Sequence, residues 1–171
     1  WIKISSATVM KCAEELYQGG FISYPRTETD AFSDDFNLQE IVQMLTDSQV
    51  VGAYANKIIN SIVPPSKGKH SDNAHTPIYP IKIPDSFKSQ NSKKVYELII
   101  RHFLACCSND ALGSETRATF DIGGESFHIK GLEVIERNWL DVYPYVKWEG
   151  KQIPNFILNA TYPVKSIEIK T

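Results

Sequence analysis

The spacing of the apolar residues changes near residues 110–114, and this change constrains the fold more than any other feature of the sequence. Before it, apolar side chains recur every three or four residues, which is the period of a helix packed on a core. That period predicts four helices, over residues 7–18, 38–46, 50–62 and 93–107. In the first helix it assigns Val9, Met10, Ala13, Leu16 and Tyr17 to the buried face. Residues 63–92 are rich in proline and small polar residues and predict a long loop, which in a compact domain is usually functional.

After the change, the sequence favours β structure. Residues 116–122 and 125–130 alternate on either side of a Gly-Gly pair, which predicts a β-hairpin. Residues 132–136 are consistent with a continuation of the sheet. Residues 164–170 alternate well enough to predict another strand. The sequence therefore predicts an α+β fold.

The same change divides the chain into a helical domain, residues 1–112, and a β-rich domain, residues 113–171. With 171 residues, of which 42% are hydrophobic, the chain can bury a core as one large domain or two small ones. No apolar run approaches the roughly 18 residues that a membrane span requires, so no membrane partner is expected. The chain has no signal peptide and opens without an initiator methionine, which predicts a piece of a larger protein.

The charge balance argues against a free-standing DNA-binding domain. The formal net charge is −2, whereas such domains usually carry a basic patch that neutralises phosphates. Any binding to DNA must come from a few suitably positioned Lys or Arg side chains or from residues outside this chain. The three cysteines, Cys12, Cys106 and Cys107, show no metal-ligand spacing, so we predict no metal site and reduced intracellular thiols.

Residues 21–30 place a tyrosine two positions before an arginine, with a proline between them. A phenol has a pKa of about 10, so a nucleophilic tyrosine needs nearby positive charge or a proton acceptor. The guanidinium of Arg26 can supply the charge and hold two phosphate oxygens at once. Pro25 stiffens the segment that carries Tyr24. On its own the triplet is a weak signal, and a surface tyrosine beside a solvated arginine is the competing interpretation.

The longer string resolves this choice, because Ser-Tyr-Pro-Arg-Thr-Glu-Thr-Asp at 23–30 resembles the active-site segment of type IA DNA topoisomerases. Residues 67–80, which end in Ala-His-Thr-Pro-Ile-Tyr-Pro, are similar to that family's second signature. Residues 101–113 and 137–145 are similar to the eukaryotic topoisomerase III branch of the family, alpha type. Four matches in the right order cover nearly the whole chain.

The resemblance assigns three residues to chemistry. It implies that Tyr24 attacks a single-stranded DNA phosphodiester and becomes joined to the 5′ phosphate without ATP. Arg26 matches the residue that holds the scissile phosphate, and His75 matches the histidine near that phosphate. A second group consists of candidate DNA contacts: Arg26 again, Thr27, Glu28, Lys67 and Lys69. Thr27 and Glu28 could instead satisfy the backbone of a turn, and the two lysines could simply be solvated loop residues.

The resemblance also carries expectations about the whole protein. The helical part should resemble the catabolite-activator-like tyrosine domain, and the β-rich part a segment of the arch that opens the DNA gate. Mg²⁺ would be bound by a Toprim domain that this chain lacks, so the chain alone should be inactive. A RecQ-type helicase, an OB-fold accessory protein and a nuclear location are implied. Two departures, Thr76 in place of proline and Tyr79 in place of histidine, put the detailed shape of the loop in doubt.

Two other interpretations remain open at this stage. The chain could be a non-catalytic module that binds single-stranded DNA or a protein, derived from a topoisomerase relative. The intact set of Tyr24, Arg26 and His75 argues against such a loss of function. The chain could also be a structural segment that docks a helicase or an OB-fold partner, which would not exclude catalysis.

Overall fold

The computed structural model describes residues 2–71 and 74–168, which form two compact units. The first contains residues 2–112 and 136–148, and the second contains residues 113–135 and 149–168. Helices dominate the first unit, and a two-stranded sheet dominates the second, so the predicted α+β class is confirmed. No helix in the described part of the chain is long and apolar enough to cross a membrane.

The first unit contains the four helices that the apolar period predicts: α1 (Ser6–Gln18), α2 (Leu38–Leu45), α3 (Gly52–Ile58) and α4 (Gln90–Cys106). Polar side chains set three of their starts. The side chains of Ser5, Asn37 and Ser89 each accept a hydrogen bond from a backbone N–H of the first turn. The Ser89 cap starts α4 three residues before the predicted position, and α3 ends four residues before the predicted one.

α1 and α4 pack against each other and bury the largest part of the core. α1 contributes Cys12, Ala13 and Leu16. The predicted apolar face of this helix was wrong at two positions, because Met10 is 37% exposed and Tyr17 is 45% exposed. The buried face is turned toward Cys12, a residue that the apolar period did not select. The exposed position of Tyr17 matters for the site described below.

Residues 136–148 pack with the first unit, whereas the sequence placed them in the second domain. A short 3₁₀ helix (Asn138–Asp141) contacts α4, and the segment buries Leu140, Val142 and Tyr143. Arg101 on α4 donates a hydrogen bond to the carbonyl oxygen of Val142, at 3.1 Å. The burial of these apolar side chains on the helical core explains the difference.

The second unit is built on the antiparallel hairpin of β1 (Leu112–Ile122) and β2 (Glu125–Glu136). Gly123 and Gly124 have φ of +65° and +87°, the left-handed conformation that a two-residue hairpin turn requires. Both predicted strands and the turn are confirmed, and β2 runs through residues 132–136 without a break. Leu132 pairs with Lys151 through two 2.8 Å backbone hydrogen bonds, which bring the following segment against the hairpin.

The predicted strand over residues 164–170 was wrong for the part that the structure describes. Residues 164–168 join no sheet, and residues 169–170 lie outside the described residues. Alternation alone does not make a strand, because a strand also needs a neighbouring edge with which its backbone can pair.

Candidate active site

A short backbone pairing brings together two segments that lie more than fifty residues apart in sequence. Ile22 forms an antiparallel bridge with Pro80, and both residues are buried. The N–H of Ser23 donates to the carbonyl oxygen of Tyr79 at 3.0 Å, and the N–H of Ile81 donates to Phe21 at 2.9 Å. The predicted active-site segment and the predicted second signature are therefore neighbours in the fold.

The Ser23 side chain reinforces this pairing. Its hydroxyl donates to the carbonyl oxygen of Pro77 at 3.1 Å and accepts from the N–H of Tyr79 at 2.9 Å. Ser23 is only 7% exposed, so water does not readily replace either bond. This buried hydroxyl therefore links the segment that carries Tyr24 to the segment that follows His75 in sequence.

The ring of Tyr24 stacks on the imidazole of His75. The ring centroids lie 5.1 Å apart and the planes differ by 24°. Tyr17 packs against Tyr24 in a T-shaped arrangement, with centroids 5.4 Å apart and planes at 73°. Tyr24 is half-buried and His75 is exposed at the surface. The structure thus brings two of the three predicted catalytic side chains into direct contact.

Arg26 is held by a carboxylate on α1. One oxygen of Glu14, Oε1, accepts from Nε of Arg26 at 2.8 Å and also from Nη2. The hydrogen bond and the charge of Glu14 raise the pKa of Arg26 above its ordinary value, and Tyr24 acts weakly in the same direction. The side chain of Arg26 remains 57% exposed, so a permanently charged guanidinium stands at the surface two residues after Tyr24.

A side-chain hydrogen bond organises the backbone of residues 27–29, directly after Arg26. The N–H of Thr29 donates to Oγ1 of Thr27 at 3.0 Å, a local turn that satisfies the backbone. Thr29 is buried, Thr27 is half-buried and Glu28 is exposed. Thr27 therefore has a structural role in the turn, while the Glu28 side chain is available at the surface.

The end of this segment is attached to the loop that carries Lys67 and Lys69. The N–H of Asp30 donates to His70 at 3.0 Å, and the carboxylate of Asp30 accepts from the N–H of His70 at 2.8 Å. This hydrogen bond from the His70 backbone, with a second one from its side chain, lowers the pKa of Asp30. An added Cβ at Gly68 would lie 2.0 Å from Cγ of Asp30, so a side chain there would displace the Asp30 carboxylate.

The two lysines of this loop differ in their surroundings. Lys67 forms an ion pair with Asp34, with Nζ 2.5 Å from a carboxylate oxygen. Lys69 is exposed, and its side chain forms no ion pair with a residue that the structure describes. Among the described residues, therefore, a carboxylate partly compensates the charge of Lys67 but not that of Lys69. Both lysines lie beside the Asp30 end of the segment, rather than in contact with Tyr24.

A family model for DNA topoisomerase matches residues 2–171. This chain belongs to the DNA topoisomerase family. It is 49% identical to DNA topoisomerase 3-alpha of Drosophila melanogaster over 155 residues, which cover 91% of this chain and 12% of that protein. It is 46% identical to DNA topoisomerase 3 of Schizosaccharomyces pombe, covering 94% of this chain and 26% of the relative, and 41% identical to human DNA topoisomerase 3-alpha, covering 98% and 17%.

These matches confirm the resemblance to type IA enzymes of the topoisomerase III branch. The chain spans between about an eighth and about a quarter of the length of these three topoisomerases. Within the part of this topoisomerase chain that the structure describes, no group of three or more His, Cys, Asp or Glu side chains could hold a metal ion.

Sequence reasoning missed three residues around the candidate site of this topoisomerase chain. Glu14 and Ser23 received no role, and Tyr17 was assigned to the core. Glu14 and Tyr17 lie three positions apart, a spacing that places them on one face of a helix. That spacing was a usable signal, yet nothing local indicates that this face meets Arg26 and Tyr24.

We predict that Ser23→Ala lowers the free energy of unfolding by about 1–3 kcal/mol, since it leaves the Tyr79 N–H and the Pro77 carbonyl without their partner in a buried position. Urea unfolding monitored by circular dichroism measures the change. Ser66→Ala is the matched control, because Ser66 is exposed and its hydroxyl forms no hydrogen bond with a described residue. Equal stability of the two variants would show that the hydroxyl does not join the segments.

Proposed function

We propose that this chain supplies the tyrosine half of a type IA topoisomerase active site. The phenol oxygen of Tyr24 forms a bond to a phosphorus of single-stranded DNA, and the bond from that phosphorus to the 3′ oxygen breaks. The product is a 5′-phosphotyrosine and a free 3′ hydroxyl, which later attacks the phosphotyrosine and reseals the strand. The energy of the broken phosphodiester bond is conserved in the phosphotyrosine bond, so the cycle needs no ATP. The stacked Tyr24 and His75, held beside Arg26, are the observation that carries this proposal.

Arg26 is proposed to bind the scissile phosphate. Its guanidinium is charged at any physiological pH and is exposed next to Tyr24. A fixed cation there stabilises the charge that builds on the phosphate oxygens during the attack. The geometry fits this role because the arginine follows the tyrosine on a segment fixed by the Ile22–Pro80 bridge.

His75 is proposed to contact the same phosphate. Its imidazole stacks on Tyr24 and is exposed, so a phosphate in reach of the phenol oxygen would also be in reach of the ring. A ring N–H can donate a hydrogen bond to a phosphate oxygen in either the neutral or the charged form.

The remaining candidate residues are proposed as contacts along the DNA strand. Lys69, which forms no ion pair with a described residue, is the stronger candidate, and Lys67 would have to exchange Asp34 for a phosphate. Glu28 is exposed and could contact DNA or a neighbouring domain. Thr27 would act through the turn that follows Arg26.

The two units are proposed to correspond to different parts of the enzyme. The first would be the catabolite-activator-like tyrosine domain, and the second a segment of the arch that opens the gate. Mg²⁺ and the glutamate and lysine that transfer protons would belong to a Toprim domain, as the similarity to type IA topoisomerases implies. By similarity to eukaryotic relatives, we propose action in the nucleus with a RecQ-type helicase and an OB-fold accessory protein.

A second candidate function is that of a binding module without chemistry. The exposed Lys69 and the aromatic pair of Tyr24 and His75 could bind single-stranded DNA through phosphate contacts and base stacking. The two functions differ in one product, since only the enzyme forms a covalent bond to DNA.

Covalent trapping tests the proposal. The full-length protein is mixed with single-stranded oligonucleotides labelled at either end, denatured and separated on a gel. We expect the 3′ label to remain on the protein and the 5′ label to be released, because the tyrosine retains the 5′ phosphate. Peptide mapping should place the modification on Tyr24. The 171-residue chain alone should give no adduct, since its net charge of −2 favours weak binding and proton transfer depends on another domain.

Transfer of the 5′ label, or modification of a different residue, would contradict the proposed chemistry. Retention of noncovalent DNA binding with no adduct in the full-length protein would favour the binding module instead.

A further inference from the structure

One face of α1 contacts both of the reactive side chains that the adjacent loop presents. Glu14 and Tyr17 lie three residues apart on this helix, so their side chains share a face. Glu14 binds Arg26, and Tyr17 packs against Tyr24. We refer to these two residues as the α1 pair.

The contact with Glu14 leaves part of Arg26 free. A guanidinium carries five N–H donors, one on Nε and two on each terminal nitrogen. Glu14 uses a single oxygen to accept from Nε and Nη2, which are the donors along one edge of the group. Both N–H groups of Nη1 and the second N–H of Nη2 remain for another acceptor. Glu14 can therefore hold the arginine in place while its end binds a phosphate oxygen pair.

The α1 pair also restricts side chains that would otherwise move. Arg26 is more than half exposed, and a long side chain at such a position samples many rotamers unless something anchors it. The ring of Tyr24 contacts His75 in a stacked arrangement and Tyr17 in a T-shaped one, both of which are favoured geometries for aromatic pairs. Each reactive side chain thus has one contact from α1 that constrains its orientation.

We propose that the α1 pair positions Arg26 and Tyr24 for attack on the phosphodiester, an inference that rests on the proposed function. Glu14 and Tyr17 are positioning residues and touch no reacting atom. Surface ion pairs contribute little to stability, so a purely structural Glu14 would hardly be noticed in a folding experiment. A positioning Glu14 acts on the rate of cleavage once DNA is bound, because small displacements of a reacting group slow the chemical step strongly.

The test is single-turnover cleavage by the full-length protein at saturating 3′-labelled oligonucleotide, with DNA affinity measured separately. We expect Glu14→Ala to lower the cleavage rate by about tenfold or more, as for a misplaced reacting group. DNA affinity should stay unchanged or rise, because a negative charge beside the phosphate site is removed. Glu14→Gln should recover most of the rate, since its amide oxygen can still accept from Nε of Arg26.

Tyr17 is tested in the same way. Tyr17→Phe keeps the ring and should keep most of the cleavage rate, whereas Tyr17→Ala removes the T-shaped contact and should lower it several-fold. Glu115→Gln is the matched control for Glu14. Glu115 forms a 2.9 Å ion pair with Lys130 in the second unit, and its side chain is 56% exposed compared with 40% for Glu14.

A wild-type or faster rate in Glu14→Ala would overturn the inference. So would a loss of rate that only follows a loss of DNA affinity or thermal stability. Tyr24→Phe distinguishes the inference about the α1 pair from the proposed function on which it rests. If Tyr24→Phe abolishes the adduct while Glu14→Ala cleaves at the normal rate, the inference fails and the proposed function stands. If Tyr24→Phe still forms the adduct, the proposed function itself fails.

Discussion

Tyr24→Phe in the full-length protein is expected to reduce the covalent DNA adduct below detection. The change removes the only atom that would bond to phosphorus in the proposed reaction. The phenylalanine ring can still stack on His75 and pack against Tyr17. We therefore expect the free energy of unfolding to change by less than about 1 kcal/mol, as for other changes outside the core. Single-strand binding should be nearly unchanged.

A 3′-labelled oligonucleotide and a denaturing gel measure the adduct, and thermal unfolding confirms that the variant is folded. Tyr79→Phe is the matched control. It removes a hydroxyl from another half-buried tyrosine of the paired segments, and that hydroxyl forms no hydrogen bond with a described residue. Adduct formation at the wild-type yield in Tyr24→Phe would rule out this residue as the nucleophile.

Arg26→Lys should lower single-turnover cleavage by about 10²-fold, the usual effect of removing one preorganised donor from a site of developing charge. Lysine keeps the positive charge but offers a point charge on a flexible stem instead of a planar fork. It also has three donors instead of five, so two donors given to Glu14 would leave only one for a phosphate. DNA affinity should fall much less, because the net charge of the site is the same.

The control for this variant is Arg117→Lys, which changes an exposed arginine on β1 of the second unit. Rates are compared at saturating DNA, so that binding and chemistry are separated. Equal cleavage by Arg26→Lys and the wild type would show that the fork of Arg26 does not hold the phosphate.

The helices of this chain were predictable because their information is local. The three- and four-residue spacing of apolar side chains located all four helices, and the Gly123-Gly124 pair located the hairpin. The predicted positions were wrong where the local apolar pattern was compatible with more than one packing surface. Met10 and Tyr17 fit an apolar face of α1, but the buried face that meets α4 is rotated toward Cys12.

Two segments were predicted incorrectly because their structure depends on distant residues and not on the local pattern. Residues 164–168 alternate like a strand but pair with no other described segment, and residues 136–148 follow the hairpin in sequence yet bury their apolar side chains on the helical unit. For residues 136–148, the outcome depended on the apolar surface that the helices provide. Such surfaces form only when distant parts of the chain have packed together.

The sequence by itself determined the α+β class, the hairpin and the family, because these depend on periodicity, turn residues and a motif that can be read directly. Only the tertiary structure decided that Tyr24 stacks on His75, that Ser23 bonds to Pro77 across 54 residues, and that Glu14 reaches Arg26. These contacts depend on how α1 and the long loop pack around the Ile22–Pro80 bridge. The spacing of residues along the chain does not predict that packing, because contacts between distant residues are fixed by the burial of the whole core.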